Sequence, residues 1–451
     1  MNMLPICYIC RSIMCVYCHM IEPRAVPSQS WWPGMGSGTS KAERTPKWHG
    51  VSARMKMRAA TRYVEHSSAL SPESTWNKFG GRQLEPLFET TRVIDVRWLL
   101  RFGRGEASFT GRTPYPSVLA VPAWQDVPSE AIVDLAILRA AKMKYDALPI
   151  LVISYPWFSI DHPDPQGEQL MRMLPMLASI VDFCDLDGDC QTWGVVWDYM
   201  AFPQRGRTAA FSPTEDDRTP EQYAIFKAGL HDINIWYGAA RTTTLLMDQP
   251  VPATASNKTE YKNRGWCMFE RRLSAIVKDN DCLLSLAHFT GRNSYWPGVR
   301  MECAAHRPPP MTPIEFESMI HSGLSAGSVK FTNGKDATEI VIPQYARGFY
   351  RLMHDAVEFD YADLEWGDED VIKLAEALTY AHKLGALQNV RKLNLMKNSI
   401  GDAGMDALAN VILAGGLPKL RKKGLQAHFN PASRQAQAKV QEALKRQGTP
   451  S

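Results

Sequence analysis

No run of about 20 clean apolar residues occurs in this chain, so the sequence offers no conventional membrane-spanning helix. The nearest approach is N-terminal, "MNMLPICYICRSIMCVYCHMI". Arg11 interrupts it, and it has neither a basic leader nor a clear small-residue cleavage site, so it reads as a poor secretory signal. An excess of one charge is also missing: 51 Lys and Arg face 47 Asp and Glu over 451 residues. That balance is too mild for nucleic acid to be the main partner. The phosphate-binding lysine loop, a GxGxxG following a strand, and HExxH are all lacking. Of the nine cysteines, the five outside the N-terminus are scattered, which fits a reducing compartment, and a cytoplasmic location is expected.

What is present suits a globular protein of two or three domains, with 45% hydrophobic and 22% charged residues. Residues 1–64 are expected to form a disordered leader and linker. Cys7, Cys10, Cys15 and Cys18 make two CxxC pairs, but only four residues separate the pairs. Zinc ribbons leave roughly 15–20 residues there, so no metal site is expected. Residues 22–50 are rich in Pro, Gly, Ser and Trp, and a basic run from Lys41 to Arg62 reads as solvated linker. Residues 65–147 read as a lead-in subdomain. Its "TRVIDVRWLL" begins with strand-like alternation, and a helix is expected after Ser129, through about Lys144.

From Leu148 the pattern becomes regular. "LPILVIS" is a short apolar run ending in Ser154, as for a strand buried on both faces. A helical stripe follows at Leu170, Met173, Leu174, Leu177 and Val181. "GVVWDYM" (194–200), "TTTLLM" (242–247) and "CLLSL" (282–286) read as further buried strands. Between them, Thr219-Pro220-Glu221-Gln222 has the form of a capping box opening a helix. The alternation predicts an α/β domain over 148–287, a parallel sheet with helices on both faces. Residues 288–350 read as a proline-marked connector with one helix. Residues 351–447 carry a repeat, in which Phe359 to Leu393 is 34 residues and Leu393 to Leu425 is 32. Each unit is a strand, a turn and an amphipathic helix, and such units bury their apolar faces only by stacking.

Ligands in such sheets sit beyond the carboxyl ends of the strands. Four segments are expected there: the loops after 154, 198 and 247, and "NRGWCMFERRL" (263–273). They bring Ser154, Trp157, His162, Asp164, Asp198, Tyr199, Arg205, Arg207, Trp266 and Glu270. Aromatics stack on rings, carboxylates bind ribose hydroxyls, and arginines pair with phosphate, a set suited to a sugar–base ligand. Glu270 shares its helical stripe with Trp266, Leu273 and Val277, an awkward place for an unpaired carboxylate. "DLDGDC" (185–190) lacks the Gly and Glu of a calcium loop at the sixth and twelfth positions. Cys267 has no histidine placed to act as its base and reads as a packed thiol. No metal site is expected.

The order of elements over 148–287 resembles the Toll/interleukin-1 receptor (TIR) domain, a flavodoxin-like parallel sheet. "GWCMFE" looks like the plant-type TIR segment in which a glutamate follows Trp-Cys. In enzymatic members that glutamate cleaves the nicotinamide–ribose bond of NAD. The resemblance makes Glu270 the catalytic candidate and matches Ser154 to the serine ending the first strand. The chain departs from the family after "LVIS", where Tyr-Pro-Trp replaces the usual Phe-Arg-Gly, so nicotinamide contacts do not transfer. "LNLMKNSIGDAGMDALANVI" closely resembles the ribonuclease-inhibitor class of leucine-rich repeat, which would put Asn398 at an inner turn bonding backbone groups. The first unit has Leu364 in the Asn position; the third keeps Asn430 but loses Gly-Asp. Uncharacterised protist proteins that join such a domain to such repeats are also similar.

These resemblances imply a signalling protein with NAD as a substrate and no resident cofactor. They also imply self-association through the α/β domain and a protein partner on the repeats. N-glycosidic cleavage develops positive charge on the ribose, and a carboxylate at about 3 Å stabilises it or forms an ester. Two alternatives stay open. One is a non-catalytic interaction scaffold in which Glu270 anchors Arg264 or a loop arginine. The other is glycosyl transfer on another nucleoside.

Overall fold

A computed structural model of the chain describes residues 75–106, 120–143, 147–160, 162–206 and 216–447, all within one compact unit. The expectations for 1–64 and for Arg207 lie outside these residues. The architecture is α/β, built on a mixed five-stranded sheet.

Its strands are β1 (Ile94–Asp95), β2 (Ile150–Ser154), β3 (Gly194–Val196), β4 (Thr243–Leu246) and β5 (Leu283–Ser285), in the order β1-β3-β2-β4-β5. β2 to β5 run parallel, with Val152 beside Val196, Ser154 beside Leu246 and Leu246 beside Ser285. The expectation of a wholly parallel sheet is corrected at one edge, where β1 pairs antiparallel with β3 through Ile94 and Val195. Two residues form that strand because Asp95 at once caps a helix, accepting from the amides of Arg97 at 2.6 Å and Trp98 at 3.3 Å. The helix expected after Ser129 is also corrected. It spans Leu135–Ala140, and Asp134, not Ser129, caps it.

Every residue of β2 is buried, and successive side chains enter opposite cores. Ile150 and Val152 pack on one face, Leu151 and Ile153 on the other. The second face is covered by α1 (Val96–Gly103), α2 (Glu168–Asp187) and, further along the chain, Trp296–Glu302. α3 (Pro220–Gly238) and α4 (Gly265–Ser274) cover the first. The capping box of α3 forms as the sequence implies, with Gln222 N on Thr219 Oγ1 at 3.2 Å and Thr219 N on Gln222 Oε1 at 3.1 Å. The connector holds more than the one helix expected: α5 (Trp296–Glu302), α6 (Pro313–Ser325) and α7 (Ile342–Asp355). Pro313 and Pro343 fall in the first turns of α6 and α7, where the missing N–H costs nothing.

The C-terminal segment forms a second, parallel sheet of β6 (Glu358–Asp360), β7 (Lys392–Asn394) and β8 (Leu425–Gln426). A helix follows each: α8 (Asp368–Lys383), α9 (Asp402–Leu413) and α10 (Arg434–Gln447). Phe359, Leu393 and Leu425 lie side by side. At the same place in each unit the backbone turns left-handed, at Asp363 (φ 58°), Lys397 (φ 54°) and Phe429 (φ 60°). The buried Asn398 takes the amides of Leu364 at 3.0 Å and Trp366 at 3.1 Å, and gives to the carbonyls of Tyr361 at 2.7 Å and Leu395 at 3.1 Å. It thereby closes the turn of the unit before it, the one with leucine in place of asparagine. Asn430 repeats the act on Ile400 N at 3.1 Å.

The stack is docked on the α/β sheet. Arg307 is wholly buried. Its guanidinium donates to Asp360 O at 2.8 Å, Asn280 Oδ1 at 2.9 Å and Ala275 O at 3.2 Å. Tyr361 OH donates to Ile276 O at 2.7 Å. Both contacts seat the first repeat against the chain leaving α4. Among the described residues, no helix is long and apolar enough to cross a membrane.

Candidate functional site

β2 ends at Ser154, between β3 and β4, where the connections leave the sheet in opposite directions. Glu270 points at that end. Ser154 Oγ donates to Glu270 Oε2 at 2.5 Å, and Ser154 Oγ lies 2.6 Å from Tyr261 OH. The phenol also reaches Cys267 O at 3.4 Å, so one arrangement that uses each proton once runs from Tyr261 to Ser154 to Glu270. α4 sets this geometry. Leu273 and Phe269 are buried in the core, and the same stripe carries Glu270 to the strand end.

A second carboxylate stands near. Asp198 follows β3 and accepts from Tyr155 OH and, at 2.6 Å, from the amide of Tyr199. Burial pushes its carboxyl up to about 6, against the bonds from Tyr155 and Tyr199. Burial likewise drives the Glu270 carboxyl well above its ordinary range. The Ser154 and Tyr237 hydrogen bonds oppose that rise, and the charge of Asp198 adds to it. The phenols of Tyr155, Tyr237 and Tyr261 and the thiol of Cys267 are also raised, mainly by burial. Burial therefore favours the protonated form of Glu270, which lies in a cluster of acidic and phenolic groups.

No arginine or lysine pairs with Glu270 among the described residues. Arg264, the anchor considered from sequence, turns elsewhere: it donates to Trp157 O at 2.6 Å and Thr259 O at 2.9 Å. Burial lowers its guanidinium below the usual range.

The other expected residues fall in three places. Trp157, Tyr199 and His162 form a ring cluster beside Asp198, with Tyr199 edge-on to Trp157 at 5.7 Å and tilted against His162 at 4.7 Å. Asp164 lies instead at the start of α2, accepting Leu170 N at 3.0 Å, and burial raises it to about 6. Trp266 is bonded to Asp336, and the exposed Arg205 acts on that carboxyl only through its charge. Trp266 Nε1 donates to Asp336 Oδ2 at 3.0 Å, and the Arg205 charge lowers Asp336 against the effect of burial. Trp266 is half-buried, edge-on to Phe269 at 6.0 Å. Asp248, in the loop after β4, turns toward β5, accepting from Ser285 Oγ at 2.7 Å and 2.8 Å.

Sequence reasoning missed the three phenols and Asp336. Tyr155 adjoins Ser154 and was signalled by that position alone, whereas Tyr237 is indistinguishable from a core residue on the α3 stripe. Asp336 is 70 residues from Trp266 and no local pattern joins them. Its segment covers the start of α4: Gly265 N donates to Lys330 O at 3.0 Å, and a Cβ on Gly265 would meet the Phe331 ring at 1.9 Å. Gly265→Ala is expected to push this cover away and cost about 1–3 kcal/mol in urea unfolding. A loss below about 0.5 kcal/mol would show that the cover yields freely.

Comparison with known protein families, curated proteins and solved structures gives no match. The site is therefore read from its own geometry. Among the described residues there is no group of three or more His, Cys, Asp or Glu side chains able to hold a metal ion. What the cluster offers is a pair of carboxyls, backed by hydroxyls, with no cation paired to them among the described residues.

Proposed function

We propose that this chain is a signalling protein whose TIR-like α/β domain recognises and hydrolyses NAD, with Glu270 as the catalytic carboxylate. The order of the parallel strands, β3-β2-β4-β5, supports a flavodoxin-like reading, in which ligands occupy the crevice at the reversal point. The stacked strands and the turn-closing Asn398 and Asn430 support the leucine-rich-repeat reading of 351–447. The repeats would carry a protein partner, and the α/β domain would associate with its own kind.

One observation carries the reading: Glu270 sits at the carboxyl end of β2 on Ser154, without a cationic partner among the described residues. A buried acid of this kind responds to an incoming positive charge. The pyridinium of NAD supplies that charge in the ground state, and the ribosyl cation supplies it in the transition state. Either lowers the carboxyl pKa and draws out the carboxylate form. The glycosidic bond then breaks with its electron pair leaving on nicotinamide. Water adds to the ribose carbon, and ADP-ribose, nicotinamide and a proton result. Ser154 would hold Oε2, leaving Oε1 toward the sugar, and Asp198 would strengthen the negative field.

A scaffold reading draws on a different observation. Glu270 keeps only 7% of its surface exposed and Ser154 none, as befits a polar plug locking α4 to the sheet. The full-length chain incubated with NAD separates the two. Release of nicotinamide by the wild type, with Glu270→Gln at least about a thousandfold slower, is expected; that ratio is the size of one electrostatic stabiliser. No release at high concentration with assembly intact favours the scaffold, and equal release by the two proteins removes Glu270 from the catalytic role. Release of base from deoxynucleosides but not from NAD would favour glycosyl transfer.

A further inference from the structure

The opposite edge of the sheet holds a second polar cleft. β1 is antiparallel, so Asp95 lies beside Gly194 at the amino ends of the parallel strands, away from Ser154. Here α1 and α2 border a cleft of about 430 Å³. Its floor is apolar, from Trp98, Leu100 and Val181, and its wall is basic, from Arg97, Arg101 and Arg104. The arginines are spaced i, i+4 and i+7, with Arg97 and Arg101 one turn apart on α1 and Arg104 at its C-terminal cap, and span about 10 Å.

Their roles differ. Arg97 is fixed by Asp185 Oδ1 at 2.6 Å and Gln191 O at 2.8 Å. Arg101 and Arg104 are exposed and form no ion pair among the described residues. Two carboxylates share the lining, Asp95 and Glu130. Asp95 is committed through Oδ1 to the amides of Arg97 and Trp98 and to Thr192 Oγ1 at 2.9 Å. Glu130 is exposed, a suitable acceptor for sugar hydroxyls. Guanidinium forks match phosphate oxygens in pairs, and a volume of this order holds a nucleotide-sized ligand.

We propose that this cleft binds a nucleoside diphosphate, with Arg101 and Arg104 on the phosphates and the Trp98–Leu100–Val181 floor beneath the nucleoside. The site is remote from Glu270, and its existence does not depend on the reading of that residue.

Calorimetric titration of the full-length chain with ADP, pyrophosphate and adenosine tests it. ADP is expected to bind the wild type and Glu270→Gln equally, with affinity falling as salt rises. Arg101→Glu/Arg104→Glu should weaken that event at least thirtyfold, and Arg101→Gln/Arg104→Gln by less, with unchanged circular dichroism in both. Pyrophosphate should bind more weakly than ADP, and adenosine not measurably. The proposal is overturned by absence of ADP binding to the wild type, by equal affinity in the charge-reversed variant, or by loss of the event in Glu270→Gln. Pyrophosphate binding as tightly as ADP would overturn the nucleoside part.

Discussion

Asn398→Ala is expected to lower the unfolding free energy by about 3–5 kcal/mol, several times the effect of an ordinary surface change. The asparagine uses both donors and its acceptor on backbone groups of two successive repeats: Leu364 N and Trp366 N on one side, Tyr361 O and Leu395 O on the other. Alanine leaves these groups unpaired in a site where Asn398 itself is 7% exposed. Each buried orphan costs about 1–3 kcal/mol. No alternative partner is at hand, because Leu364 occupies the corresponding place in the first unit. Asn398→Asp should also destabilise, since it keeps the acceptor but aims negative oxygen at two carbonyls. Asn430→Ala should cost less, as that residue is only half-buried. Urea unfolding measures all three at constant slope. A loss below about 1 kcal/mol for Asn398→Ala would mean that the turn holds without its side chain.

Glu270→Gln is expected to stabilise the folded protein, and increasingly so as pH rises. The folded carboxyl is raised above its ordinary value, so the folded state holds its proton over a range where the unfolded chain has lost it. Stability from this group is complete below the unfolded pKa of about 4.5 and is lost as pH climbs through the folded value. Each unit of elevation is worth about 1.4 kcal/mol. Glutamine has the shape of the neutral acid and no such loss. The variant and wild type should therefore unfold alike near pH 4 and diverge by pH 8. Asp198→Asn should show the same sign over the window from 3.8 to about 6. A variant less stable than wild type at pH 8 would show that the carboxylate is held favourably, which removes the reason to expect a cationic ligand.

Much of this arrangement could be read from one dimension. Strands such as "ILVIS" stand out because burial on both faces forces an unbroken apolar run. The repeats stand out because a strand, a turn and an amphipathic helix recur at nearly fixed spacing, from Phe359 to Leu393 and Leu425. Ser154 and Glu270 were expected at the carboxyl ends of the strands, and they are hydrogen-bonded there. Other features had no local signal. β1 is two residues long, its Asp95 answering both to a strand and to a helix cap. The arginine anchor of the scaffold alternative is not formed by Arg264, which satisfies loop carbonyls instead. The connector's cover on α4 rests on contacts between segments about 65–70 residues apart, made by backbone bonds and one ring that any sequence could supply.

The most direct measurement is the pH profile of nicotinamide release from NAD by the full-length chain. The wild-type rate should rise with pH as Glu270 ionises, and Glu270→Gln should be at least about a thousandfold slower, without that rise. A profile shared by both proteins, or NAD left intact by a wild type that binds it, would contradict the assignment of Glu270 as the group that cleaves the bond.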